Sequence, residues 1–396
     1  MFCGATALLL ASGQVAAFFQ DKLQLQFSEQ LSYDSNVFRA SSGRDPTTFI
    51  NSSEKADILK TTRIGLAFDV PVSRQRFQAS YGKSSTRYNR FTDRDFDGHD
   101  ERAAWLWQVG NNLSGQLGYT KVLGLASFNN FQTRVANPLT TTQTFANATY
   151  LLGARWRVQA GLNRVVAENG ELSRQIQNFE SNSPDIAISY VSPASNSIGF
   201  HVGLDDGRFP NRQLVAGSLF DNAYLQRTAG PVLDWQLTGH SRLGLRYDQI
   251  TRNYAQLSQR NFDGSGYRIS YDWTPTGKLV LSGVARREIS ALEDIRTSFV
   301  MAQGYTFRPT WTVTSKITLG AVIDYTVRDY LGDPGLVLGS APARRDTSKL
   351  ASLTATYIPM RQITLTLSAT HETRASTVPL GDFSDNLYSL NAQFAF

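Results

Sequence analysis

Apolar and polar residues alternate one by one through most of this chain, and the pattern returns in segment after segment. In residues 22–33, Leu23, Leu25, Phe27, Leu31 and Tyr33 fall on one side, with Gln24, Gln26, Ser28, Gln30 and Ser32 opposite. Residues 363–370 set Ile363, Leu365, Leu367 and Ala369 against Thr364, Thr366, Ser368 and Thr370. The stretches 62–70, 155–163 and 316–327 repeat it. So does the end of the chain, where Tyr388, Leu390, Ala392 and Phe394 alternate with Ser389, Asn391, Gln393 and Ala395. A strand has period 2, so each segment carries one greasy face. No window of comparable length follows the helical period.

The connections alternate as well. Short turns fall at 71–75, 110–114, 151–156, 191–196, 237–241, 274–278, 311–316 and 358–362, and longer polar links lie between them. Eight short turns and nine longer links give about 18 strands, within a range of 16–18. Short connections at one end and long ones at the other are the asymmetry of an outer-membrane barrel, with both termini periplasmic. The fold expected is all-β: a transmembrane antiparallel up-and-down β-barrel in the bacterial outer membrane. Its greasy faces meet lipid, and closure pairs every backbone group. Trp105, Trp107, Trp156, Trp235, Tyr271, Trp273, Trp311 and Tyr357 suit an interfacial belt. A soluble solenoid would show a fixed repeat length, and none is visible.

With 41% hydrophobic residues and a mean hydropathy of −0.27, a helical membrane protein is excluded. Residues 1–17 read as a signal peptide with a truncated basic region, Val15, Ala16 and Ala17 suiting its cleavage site. The barrel would then occupy residues 18–396. Cys3 is the sole cysteine and falls in that leader, so a disulfide scaffold, a thiolate metal site and a Cys nucleophile are excluded from the mature chain. The net charge is +6; of 39 basic residues 31 are Arg and 8 are Lys. They form no block or tail, so nucleic acid is not an expected partner.

Chemistry-bearing motifs are sparse, and no cofactor is expected. The four histidines are scattered; only His371, beside Glu372, is a candidate for enzymatic chemistry, and a rim histidine is the plainer reading. Asp93, Asp95, Asp97 and Gly98 match the opening of a Ca²⁺ loop, but Ala104 stands where a bidentate Glu belongs. No other metal site is expected. The main constellation faces inward. With the greasy faces outward, Arg63, Arg76, Arg102, Arg155, Arg157, Arg242, Arg246, Arg252, Arg268, Arg286 and Arg328 point into the lumen. Asp69, Asp234, Asp248, Asp272 and Asp324 accompany them. One reading is mutual pairing in a polar interior; the other is a positive field that draws an anionic solute. Phe394 and Phe396 are expected to be the signal read by the outer-membrane assembly machinery.

Leu31 to Arg39, "LSYDSNVFR", resembles the first-strand signature of outer-membrane barrels encoded with exopolysaccharide operons, the EpsL-type family of exosortase/PEP-CTERM systems. That resemblance implies a role in polysaccharide biosynthesis and export. It implies as partners the polysaccharide and periplasmic or inner-membrane synthesis components, beside outer-membrane lipid and lipopolysaccharide. The expected function is a passive export pore. The alternatives are a general or substrate-specific uptake porin, a structural or accessory barrel, and an outer-membrane enzyme. An uptake porin calls for a long link folded inward as a constriction, for which residues 39–56 and 331–345 are the candidates.

Overall fold

The computed structural model describes residues 22–129, 134–212, 223–256, 258, 261–290, 299–331 and 344–396. The leader and its cleavage site lie outside the described residues. The first six strands are β1 (Leu23–Asp34), β2 (Asp57–Val72), β3 (Gln75–Tyr88), β4 (Phe96–Val109), β5 (Leu113–Leu125) and β6 (Pro138–Leu152). Then come β7 (Trp156–Asn169), β8 (Phe179–Val191), β9 (Ser197–Arg208), β10 (Tyr224–Thr238), β11 (Ser241–Tyr254) and β12 (Phe262–Thr276). The last are β13 (Leu279–Ser290), β14 (Phe299–Thr312), β15 (Ile317–Leu331), β16 (Arg345–Met360), β17 (Ile363–Ser376) and β18 (Phe383–Ala395). A short helix, α1 (Pro46–Ile50), lies in the first long link.

Each strand pairs antiparallel with the next, and β18 returns to β1 with Phe27 opposite Phe394 and Tyr33 opposite Tyr388. The barrel is closed. Stepping from partner to partner once around the ring returns to β1 about 22 residues further along, the stagger required of strongly tilted strands. All eight short turns occur where the sequence places them. Four of them hold a residue in the left-handed region, Ser73, Gly110, Gly153 and Ser195, as tight hairpins require.

The alternation sorts the two faces. Ile64, Ile323, Leu353 and Leu367 stand outward and exposed, as lipid-facing residues must. The eight expected belt aromatics all point outward, near the short-turn rim. A second belt, including Tyr33, Tyr267, Tyr305, Tyr325 and Tyr388, circles closer to the long links. Tyr305 and Trp311 lie six residues apart on β14, about 20 Å along a strand, which suits the apolar band of an outer-membrane barrel. Among the described residues no helix is long and apolar enough to cross a membrane; the strands cross it.

The orientation has a direct check. Trypsin added to intact cells is expected to cut at Arg44 in the first long link and to spare Lys278 in a short turn. Cleavage at Lys278 on intact cells would reverse the barrel.

Candidate functional site: the lumen and its mouth

Register decides which charges meet inside. Arg246 on β11 is the direct partner of Arg268 on β12, and Arg268 of Arg286 on β13. Three guanidinium groups therefore stand side by side near mid-strand on one wall. Arg102, mid-strand on β4, comes from the opposite side of the ring and lies 5.9 Å from the ring centre of Phe145. Arg308 on β14, which the sequence reading missed beside Pro309, also faces inward opposite Ser282.

Several of the inward arginines meet an acid. Arg246 Nε lies 3.0 Å from Asp248, Arg268 Nη2 lies 3.4 Å from Glu288, and Arg286 Nη2 lies 3.3 Å from Asp324. Asp324 also accepts hydrogen bonds from Thr306 at 2.6 Å and Thr326 at 2.7 Å. Asp248 is further held by His201 Nε2 at 2.7 Å. Lower on the same wall Arg242 pairs with Asp234, and Asp272 accepts from Ser282 at 2.5 Å. Arg63 pairs with Asp100 across the intervening strand, and Arg76 with Asp69. The first of these pairs fills the space that a side chain at Gly82 would need. Asp185, Asp205, Glu288 and Glu372 turn inward as well, so the lumen is close to balanced.

Exposure varies along the row. The side chains of Arg246 and Arg268 are 49% and 52% exposed, against 17% for Asp248 and 44% for Glu288, whereas Arg286 is 19% exposed beside Asp324 at 24%. Arg246 and Arg268 face the lumen water, and Arg286 lies deeper between Glu288 and Asp324. Arg102, Arg157, Arg308 and Arg328 enter no ion pair among the described residues, although Arg328 donates to Ser348 at 3.2 Å.

Two expected pore residues lie elsewhere. Arg155 is in the β6–β7 turn, outside the strand, and swings to the outward Tyr190, donating to its hydroxyl at 2.6 Å. Arg252 is inward but buried, 3.7 Å from the ring centre of Tyr224 and bonded to Gln226. The Ca²⁺-like loop does not converge. Asp93 pairs with Arg94 and Arg134, Asp95 accepts from the Tyr88 amide, and Asp97 turns outward to Arg87. Among the described residues no acid and histidine cluster could hold a metal ion. His371 points outward, 2.8 Å from Asn386 Oδ1, while neighbouring Glu372 points inward by the same alternation. Phe394 and Phe396 lie at the β1–β18 seam, where Phe396 exchanges backbone hydrogen bonds with Leu25.

The mouth at the long links is partly filled. The first link folds inward, burying Phe38 and Ile50 completely against Phe91 and Val37, with the inward Tyr88 and Phe128 beside them. The "DSNVFR" segment sets this fold. The Asn36 amide donates to Asp34, its side chain donates to the carbonyls of Ala40 and Ser384, and Arg39 has φ 53. Arg39 bridges Asp34 at 3.0 Å and Asp385 at 3.2 Å, fastening the link to both seam strands. Arg134 joins the neighbouring links, donating to the Ile50 carbonyl at 2.7 Å and pairing with Asp93 at 3.0 Å. A second cluster of Phe209, Tyr224 and Tyr254 occupies the side of β9–β11. The first link is therefore the constricting kind; residues 332–343, most of the other candidate, lie outside the described residues.

Partial burial pushes the Asp93 carboxyl up, but hydrogen bonds from Arg134 and Arg94 outweigh it and hold the group below the usual carboxylate range. A depressed carboxylate stabilises the fold above its unfolded pKa of about 3.9 and loses that contribution as pH falls through the lower folded value. Hydrogen exchange in 89–95 and 134–137 is expected to stay slow to about pH 4 and accelerate below it. An Asp93→Asn variant is expected to exchange rapidly at neutral pH.

Residues 229–396 match the model of a family described as "Putative beta-barrel porin 2". None of the curated proteins matches the chain. Among solved structures, OccK2 (OpdF) of Pseudomonas aeruginosa aligns with a TM-score of 0.53 at 9% identity, covering 96% of this chain and 99% of that one. The same protein in complex with glucuronate gives 0.52 at 11%, covering 96% and 99%. OpdK of Pseudomonas aeruginosa with vanillate gives 0.51 at 9%, covering 96% and 100%. Exopolysaccharide export gains no support from these, which show the barrel fold alone. A closed barrel with a lipid-facing band, a polar lumen and an inward-folded link makes this chain a porin-like barrel of the bacterial outer membrane.

Proposed function

We infer that the barrel is a passive uptake channel for small solutes bearing a carboxylate. The observation that carries this reading is the row Arg246–Arg268–Arg286, aligned by register, in which Arg246 and Arg268 are more exposed than the acids they pair with. A guanidinium presents a planar fork to a carboxylate, and a row of them offers successive sites of similar strength. Conduction needs attraction on entering and release on leaving, and an acid beside each cation keeps the attraction weak. The inward first link supports small solutes over a polymer, because it narrows the mouth. Glucuronate and vanillate, seen with the structural neighbours, are both small carboxylates, which agrees with this reading.

The test is liposome swelling with purified protein. Glucuronate is expected to enter faster than a neutral sugar of the same size. Equal rates, or exclusion of glucuronate, would refute selective uptake.

A further inference from the structure

Across the lumen from the arginine row, the wall of β4, β5 and β6 holds a cation in different surroundings. Arg102 points inward at mid-strand and is exposed. Its inward neighbours across the ladders are Ser80, Thr120 and Gln143, all neutral. The next inward acid on its own strand, Asp100, is taken by Arg63, whose Nη2 donates at 2.7 Å while Nη1 holds the other oxygen. Arg102 makes no ion pair or hydrogen bond among the described residues. Its guanidinium meets the lumen water without an acid of its own.

One inward position closer to the short turns, the same patch carries an aromatic ring. Phe145 on β6 faces inward in register with Gly118 on β5, which in turn meets Ala104 on β4. The far end of the ring occupies the space a side chain at Gly118 would need, so the glycine lets the ring settle against the wall. Phe145 is half-buried there, and Ala104 is buried. The Arg102 guanidinium carbon lies 5.9 Å from the ring centre, at the edge of cation–π contact, so it stands beside the ring without capping it. Aromatic rings stack with centroids about 4.5–7 Å apart. A planar ring stacked on Phe145 therefore brings a carboxylate on its edge within reach of Arg102. An aromatic carboxylate matches both groups at once, whereas a sugar acid offers the carboxylate without the aromatic face.

Building on the uptake reading above, we propose that Arg102 and Phe145 form a station selective for planar aromatic carboxylates, with the carboxylate on the guanidinium and the ring on Phe145. Strand β4 runs from the long-link rim toward a short turn, so an entering solute meets Arg102 before Phe145. The cation draws the anion in, and the ring sorts it by shape. Stacking adds about fivefold in affinity over a non-planar acid of the same charge.

The test titrates the full barrel, folded in detergent micelles, with benzoate, cyclohexanecarboxylate and glucuronate, and reads binding by saturation-transfer NMR. Benzoate is expected to bind the wild type about fivefold more tightly than cyclohexanecarboxylate. Phe145→Leu and Arg102→Gln are each expected to abolish that ratio while keeping the heat-modifiable folded band. Phe145→Tyr, which restores a ring, is expected to keep the ratio. Glucuronate is expected to bind the wild type and Phe145→Leu alike. Its failure to bind the wild type would count against the uptake reading, and the benzoate ratio judges the station separately. Equal wild-type affinities for benzoate and cyclohexanecarboxylate, or a ratio that survives Phe145→Leu, would overturn the proposal.

Discussion

Replacing Arg246, Arg268 and Arg286 together by Gln is expected to cut glucuronate flux by about tenfold or more, with flux of a neutral sugar unchanged. One exposed arginine adds little, because salt screens it within about 10 Å. Three adjacent guanidinium groups in a narrow lumen act on the same anion, and their potentials add. Gln removes the charge and keeps a polar side chain that can still hydrogen-bond. Removing the row also leaves Asp248, Glu288 and Asp324 without their cations, so the variant is expected to prefer cations. Should the row serve only to brace the wall, the variant would unfold earlier in urea and keep the wild-type flux ratio.

The other large effect is expected at Arg39. It is the shared counter-ion of Asp34 and Asp385, whose side chains are only 10% and 3% exposed. Arg39→Ala leaves two nearly buried carboxylates facing each other, a loss of about 3–5 kcal/mol for a broken buried pair. Because Arg39 also fixes the turn that sends Phe38 inward, the first link is expected to loosen with it. The urea midpoint should fall, hydrogen exchange over 35–50 should accelerate, and single-channel conductance should rise. Unchanged exchange in that segment would show that the hydrophobic cluster alone seats the link.

The strand plan was legible because it depends on local pattern. Period 2 in segments such as 363–370 and tight turns such as 110–114 fix which residues form strands, and the polar or apolar face follows. The charge balance was not legible, since it depends on partners far apart in sequence. Arg286 meets Asp324 two strands away, and Arg63 meets Asp100 over a glycine strand position. Arg155 was misplaced because strand parity fails at a turn, where the side chain is free to reach Tyr190. Arg252 obeys parity but is covered by Tyr224, whose position follows from β9–β11 packing. The mouth was hardest to read. The first link has no period, and Phe38 finds Phe91 and Phe128 only once three separate links converge. The "DSNVFR" segment, distinctive in sequence, turns out to fasten that link to the seam.

The most direct measurement is the reversal potential of the wild-type channel in a planar bilayer under a potassium chloride gradient. The exposed Arg246 and Arg268 predict chloride preference, and glucuronate added on the long-link side is expected to interrupt the current. Potassium preference, or a barrel that conducts nothing, would contradict it.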